Sequence, residues 1–410
     1  QMTALGGVEV GDGVAVAELV PFGPAAHEAF AGALAYDLRR ILGDARDGGL
    51  LINATGVVVG DAELIPPLAE SAVYEMLQLG SEYHGCVQAV RGEVCDALCQ
   101  TVGAEAALVT ATFEGAVAIA LSAVASGNEL IVRGGDRENS VLDWQKLAVQ
   151  SGAILRADDH ADAAVIFSAP EACLSSPGRR GDGEGSRAGS LLVDVAPLAG
   201  IENPNRYELG ELPTLAERLA AGVDLVVAAG NGLLGGPDCG VVVGSKQAVA
   251  QLREHALYPA LAAPIQTAAA LRATLRVYET PARVPFEVPV WQLLSTPIEN
   301  LQQRAERLAP LMAECSTIRS VEAVECESPW AVVGSQRLTA RSWALRIEPA
   351  GQSPASLEAD LRRRSVIVRI DADGVWLDLR AVFARWDQRL VAEAGEWADL
   401  VGAGDSPASS

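Results

Sequence analysis

A protein-bound imine, a metal centre and a thiol nucleophile each demand particular side chains, and this chain rations them. Lys146 and Lys246 are the only lysines in 410 residues, so every other basic side chain is arginine. Chemistry that needs an amine therefore has two candidates. There are four histidines, too few for most zinc-enzyme plans. His84, Cys86, Cys95 and Cys99 lie close in sequence, but Cys95 and Cys99 fall four apart in a helix-like stretch, where small buried hydrophobes are expected. No metal site is expected. The cysteines, Cys86, Cys95, Cys99, Cys173, Cys239, Cys315 and Cys326, are odd in number and scattered, which reads as reduced thiols. Cys239 has no histidine near it in sequence to activate it, so a buried, inert thiol is expected.

Gly230-Asn231-Gly232-Leu233-Leu234-Gly235 follows an apolar run and fits G-x-G-x-x-G. A dinucleotide site requires a helix to open there, with its amides facing a pyrophosphate. Gly236-Pro237-Asp238-Cys239-Gly240 leads instead straight into Val241-Val242-Val243. With no helix, the segment reads as a Gly-rich turn.

These residues need a scaffold, and the apolar pattern supplies one. Strands are expected at Ala106–Val109, Glu129–Val132, Ala153–Arg156, Ala163–Phe167, Ser190–Val195, Val223–Ala228 and Cys239–Val243. Helices are expected at Arg91–Val102, Gly115–Ala125, Val141–Gln150, Leu215–Ala221, Lys246–His255 and Ile265–Tyr278. Continuous aliphatic strands alternating with helices imply a largely parallel sheet covered on both faces, an α/β three-layer domain over 51–280. Residues 171–190 carry Gly and Ser without apolar period and are expected to form a flexible loop where a crossover helix would ordinarily lie. Thr280-Pro281 to Pro289 reads as a link into a small α+β domain over 281–400. That domain has helices at Pro297–Cys315, Ser356–Arg364 and Ala381–Ala398, and strands at Ala340–Ile347, Val366–Ile370 and Gly374–Asp378. Residues 1–50 form an N-terminal segment with a helix-like stretch at Ala25–Gly43, and 401–410 a frayed tail.

Half the chain is apolar and a fifth charged, which excludes wholesale disorder. The acids outnumber the bases by 53 to 31, a net charge of −22, which disfavours tRNA or any other phosphate backbone as partner. No apolar run reaches the ~18–20 residues of a membrane span. The opening Gln1-Met2-Thr3-Ala4-Leu5 lacks the pattern of a leader, so a soluble cytoplasmic protein is expected.

Ala221 to Gly240, with Ile52-Asn53-Ala54-Thr55-Gly56-Val57-Val58, Glu82-Tyr83, Gly103 to Val109, Val193-Asp194, Pro297 to Leu308, Ser342-Trp343-Ala344-Leu345 and Val366 to Val382, resembles bacterial selenocysteine synthase in the same order. That family, L-seryl-tRNA(Sec) selenium transferase, is a branch of the fold-type-I pyridoxal-phosphate enzymes. The resemblance runs over about 51–395. It implies an aspartate-aminotransferase-like large domain with a small α+β C-terminal domain, assembled as a homodimer or a ring of dimers. In the family the turn reads Ser-Gly-Asp-Lys-Leu-Leu-Gly-Gly-Pro, and its lysine forms the Schiff base. Asn231 and Gly232 stand at the Asp and Lys positions, and glycine offers no amine.

Other positions depart too. The resemblance places the cofactor phosphate at Thr110-Ala111-Thr112-Phe113-Glu114-Gly115, where Thr112 would contact it. Glu114 in the first helical turn would satisfy the helix dipole itself and repel a dianion. The family's Gly/Arg-rich stretch after Glu-Tyr shrinks to Tyr83–Gly92, leaving Arg91 as its anion partner. Asp194 is kept, and the resemblance implies that it pairs with the pyridine nitrogen and keeps it protonated; it equally suits an N-cap or turn acid before Pro197. Arg369 resembles the family arginine that faces the active site, and equally suits a structural ion pair.

The leading expectation is therefore a catalytically degenerate relative with no catalytic residue and no expected cofactor, serving as a binding or scaffold protein. A second is a pyridoxal-phosphate-dependent transferase or lyase holding the coenzyme non-covalently through Asp194, Asn231 and Thr112. The third is a small-molecule sensor whose pocket is lined by Glu114, Arg91 and Arg369.

Overall fold

Strands made of unbroken aliphatic residues can be stable only when both sheet faces are covered, and the helices between them do the covering. The computed structural model describes residues 51–391 apart from 61–63, 82, 84–86, 135–139, 157–162, 175–189, 317 and 373. The Ala25–Gly43 helix, most of the 171–190 loop, His84, Cys86 and the tail lie outside the described residues.

The chain runs β1 (Ile52–Ala54), α1 (Glu70–Ser81), α2 (Val87–Val102), β2 (Ala106–Thr110), α3 (Phe113–Val124), β3 (Glu129–Arg133), α4 (Trp144–Ser151), β4 (Ile154–Leu155), β5 (Val165–Ser168), β6 (Leu191–Val195), α5 (Leu215–Ala220), β7 (Leu225–Ala229) and β8 (Gly240–Gly244). It continues through α6 (Lys246–Glu254), α7 (Tyr258–Leu261), α8 (Ile265–Tyr278), α9 (Val284–Glu287), α10 (Pro289–Leu294), α11 (Ile298–Ala313), β9 (Ile318–Val333), β10 (Gln336–Pro349), α12 (Pro354–Arg363), β11 (Val366–Ile370) and β12 (Val375–Asp378).

Seven strands form the large sheet in the order β2-β8-β7-β6-β5-β3-β4. β8 is antiparallel to both neighbours, and the remaining pairs are parallel. One core packs α3, α4 and α6 on one face through Ile119, Trp144 and Leu252, while α2, α5 and α8 cover the other through Leu98, Leu215 and Leu271. The three-layer expectation holds, with each expected strand present to within two residues.

The second sheet has the order β1-β11-β12-β10-β9. Two features depart from the sequence reading. β1, from the start of the large domain, pairs in parallel with β11 (Ile52 beside Val366), so the first strand of the described residues belongs to the C-terminal sheet. Local pattern cannot reveal a partner more than three hundred residues away. β9 was not expected at all. Glu322, Glu325 and Glu327 interrupt its apolar residues because it is an edge strand, where outward charge discourages further pairing.

Two further expectations are corrected. The Pro-punctuated link is not a bare linker: Val284 of α9, Val288 between the helices, and Val290 and Trp291 of α10 are fully buried in a core shared with Trp330 and Ala331 of β9. The helix expected at Ala381–Ala398 is replaced, over its described part, by 3₁₀ turns at Leu379–Ala381 and Ala384–Trp386, with α-helix only from residue 387. Asp378 caps the first of these turns by accepting from the Arg380 amide at 3.1 Å, which breaks the helical run. Among the described residues, no helix is long and apolar enough to cross a membrane.

Candidate functional site at the carboxyl edge of the large sheet

In open α/β sheets the crevice beyond the carboxyl ends of the strands is where ligands are held. Here that edge is built from the ends of β2, β6 and β7. Along β6 the side chains alternate: Val193 and Val195 enter one core while Leu192 enters the other, and Asp194 shares the Leu192 face. The Asp194 side chain has no exposure, so its charge needs a partner in place of water.

Arg218 supplies it. Thr214 caps α5 with a full capping box: its side chain accepts from the Glu217 amide, and the Glu217 carboxylate accepts from the Thr214 amide. The Leu215 amide donates to the Gly200 carbonyl at 2.9 Å, pinning the helix start just past β6. Leu215 and Arg218, three apart, share the buried side of the helix. The Arg218 guanidinium, 1% exposed, puts Nη1 3.2 Å from Asp194 Oδ2, and its Nε donates to the Pro213 carbonyl at 3.2 Å. The sequence reading missed this pair. Its only trace there is an arginine in the apolar register of a short helix.

The turn after β7 lies against the turn after β6 with backbone on backbone. The Ala229 amide donates to the Pro197 carbonyl at 3.2 Å. A Cβ placed on Gly232 would stand 2.6 Å from that carbonyl oxygen, and one on Gly200 would stand 2.8 Å from Leu233 Cβ. Both glycines are there because the chains leave no space for a side chain. Tyr278 Oη donates into the Leu233 and Leu234 carbonyls (3.2 and 3.0 Å), and Trp291 Nε1 donates to the Leu233 carbonyl at 3.0 Å. Burial drives the Tyr278 hydroxyl well above its ordinary range, so it remains a donor.

At the third strand end, Thr112 is the N-cap of α3, its Oγ1 accepting from the Gly115 amide at 3.0 Å. The Ala111 amide donates to the Leu261 carbonyl at 2.7 Å. Two amides of the turn are thus already engaged. Glu114 sits exposed in the first turn. Asp238 is raised above the usual carboxylate range, chiefly by burial and next by the Glu114 charge. Asn231 Nδ2 donates to Asp238 Oδ1 at 3.4 Å. Thr112, Glu114, Asn231 and Asp238 therefore make a polar, acidic margin.

The other expected residues fall elsewhere. Arg91 Nε donates to the Ala263 carbonyl at 3.0 Å, which makes it a brace between α2 and the segment before α8. Arg369 pairs at 3.0 Å with the fully buried Asp378, whose carboxylate also accepts from Ser342 Oγ at 2.7 Å; the structural ion pair is what is found. Cys239 is buried, and burial pushes its thiol to about 12. Lys146 lies in the first turn of α4, exposed and paired with Asp143 at 2.6 Å, and Lys246 is exposed at the start of α6. Among the described residues, no group of three or more His, Cys, Asp or Glu side chains is placed to hold a metal.

The sheet order, its single antiparallel strand and the appended α+β domain define the fold-type-I architecture of pyridoxal-phosphate enzymes. A solved D-glucosaminate-6-phosphate ammonia-lyase superposes with a TM-score of 0.58 over 89% of this chain and 99% of its own, at 15% identity. Within that fold, residues 193–383 match the model of the L-seryl-tRNA selenium transferase family. The L-seryl-tRNA(Sec) selenium transferases of Yersinia pestis (strain Pestoides F) and Yersinia pseudotuberculosis serotype O:3 (strain YPIII) are each 39% identical over 186 residues, 43% of this chain and 40% of theirs. The chain thus spans about two fifths of the length of the curated relatives it matches. The resemblance to selenocysteine synthase is borne out from β6 through the turns after β12.

The residues at this edge do not fit a pyridoxal phosphate tethered through the turn after β7. Gly232 has neither an amine nor room for a side chain, Asp194 is engaged by a buried cation, and the margin where a phosphate would lie carries Glu114 and Asp238.

Proposed function

We propose that the chain is a catalytically degenerate relative of selenocysteine synthase, a homo-oligomer that keeps the fold as a binding or scaffold protein in the cytoplasm. The observation that carries this reading is Gly232, at the position the resemblance gives to the Schiff-base lysine. Its absent side chain is matched by the Pro197 carbonyl, 2.6 Å from where a Cβ would be. Backbone atoms of Pro197 and Ala229 lie where a side chain at 232 would begin. The exposed Lys146 and Lys246 support the same reading, since an imine needs a desolvated, positioned amine.

The test is spectroscopic. Purified protein mixed with pyridoxal phosphate is expected to show no absorbance band at ~420 nm beyond that of the free coenzyme, the region where a protein aldimine absorbs. Borohydride reduction followed by peptide mass spectrometry is expected to find neither lysine modified. A stoichiometric adduct on Lys146 or Lys246 would overturn the reading in favour of a coenzyme-dependent transferase or lyase.

A further inference from the structure

A buried carboxylate that has lost its partner must be protonated, be replaced or find another cation. Asp194 has kept its charge-bearing side chain at zero exposure, at the end of a central strand of the sheet. We propose that Arg218 is a built-in counter-ion, its guanidinium taking the place beside Asp194 that a protonated ring nitrogen would occupy and so shutting the site to a pyridine coenzyme. This rests on the reading above and deepens it, because it gives the apoprotein its own reason to be stable.

Three features of the structure converge on it. The guanidinium is 1% exposed and 3.2 Å from Asp194, so the contact is a desolvated ion pair rather than a surface one. Arg218 is aimed by construction: the Thr214–Glu217 capping box and the Leu215-to-Gly200 hydrogen bond fix the start of α5 one turn before it. Its Nε is held by the Pro213 carbonyl, so the guanidinium plane is set from two directions. The same Gly200 packs against Leu233 of the turn after β7. The helix that brings the cation and the turn that lacks the amine are therefore one packed unit. A cation fixed there would meet a pyridinium head-on, and like charges at a shared carboxylate exclude one another.

The experiment compares thermal melts of the wild-type protein, Arg218→Ala, Asp194→Asn and the double variant, each with and without pyridoxal phosphate. Removing the arginine should lower the melting temperature by roughly 5 °C or more, because it takes the guanidinium away from a buried carboxylate. Asp194→Asn should do the same by removing the charge that balances the buried guanidinium, and the double variant should recover much of either loss. The coenzyme should raise the melting temperature of Arg218→Ala in a dose-dependent way, while leaving the wild type and the double variant unmoved. No coupling between the two substitutions, or an Arg218→Ala protein that responds to coenzyme no more than wild type, would overturn the proposal. If Arg218→Ala does not fold, the remaining pair decides: the double variant must melt above Asp194→Asn, and melting below it overturns the proposal. An aldimine on wild-type protein would bring down the functional reading instead, so the two failures are distinguishable.

Discussion

At the scale of single residues, the cysteines show how burial decides chemistry. Cys239 lies beside the altered turn, where a thiol could be mistaken for a nucleophile. Burial first, and the Asp238 charge second, push it to about 12. Cys326 is likewise pushed to about 12, by burial and then by Asp378, and Cys95 to about 11, by burial. A thiolate is the reactive form, so these thiols are inert at neutral pH. The shift also has a thermodynamic consequence. The unfolded chain releases these protons near the ordinary value of 9.0, whereas the folded chain holds them. Stability is therefore full below about pH 9 and falls as the pH rises through the folded values, by at most about 1.4 kcal/mol per pH unit for each thiol. Melting temperatures measured from pH 8 upward should decline beyond pH 9. Cys239→Ala should decline less steeply than wild type; an equal slope would contradict the burial argument.

At the scale of elements, α5 is only six residues long, too short to be stable by propensity. Its capping box and its tie to Gly200 hold it in place, and with it Arg218. Thr214→Ala should cost about 1 kcal/mol in denaturant unfolding. Hydrogen exchange should quicken over 215–220 ahead of the flanking strands β6 and β7. Uniform quickening across the large sheet would mean that the cap acts globally and not on this helix.

At the scale of the whole molecule, the balance of charge argues against a polyanionic partner. The net charge is −22; Arg218 at the site is buried against Asp194, and Arg91, the arginine expected to meet an anion, is braced on the Ala263 carbonyl. Binding of a tRNA is driven by cations that displace its counterions. A filter-binding titration with bulk tRNA at low salt should show no retention at micromolar protein. Tight, salt-sensitive retention would contradict this and restore a nucleic-acid role.

The pattern of aliphatic runs was enough to place every strand of the large sheet, because strands buried on both faces write their environment into consecutive residues. The glycine at 232, the acid at 114 and the scarcity of lysine were equally plain, being matters of identity. Pairings were not. β1 joins β11, Asp194 meets Arg218, and Arg369 turns to Asp378, each across a separation that local periodicity does not encode. The acidic edge strand β9 and the buried α9–α10 segment were hidden for a related reason: their composition reflects what packs against them, not what neighbours them along the chain. Which side chains could react was set by the order of amino acids. Whether a buried charge faces a ligand or another residue was set only when the chain folded, since the cost of desolvation is met by whatever cation the tertiary structure brings within reach.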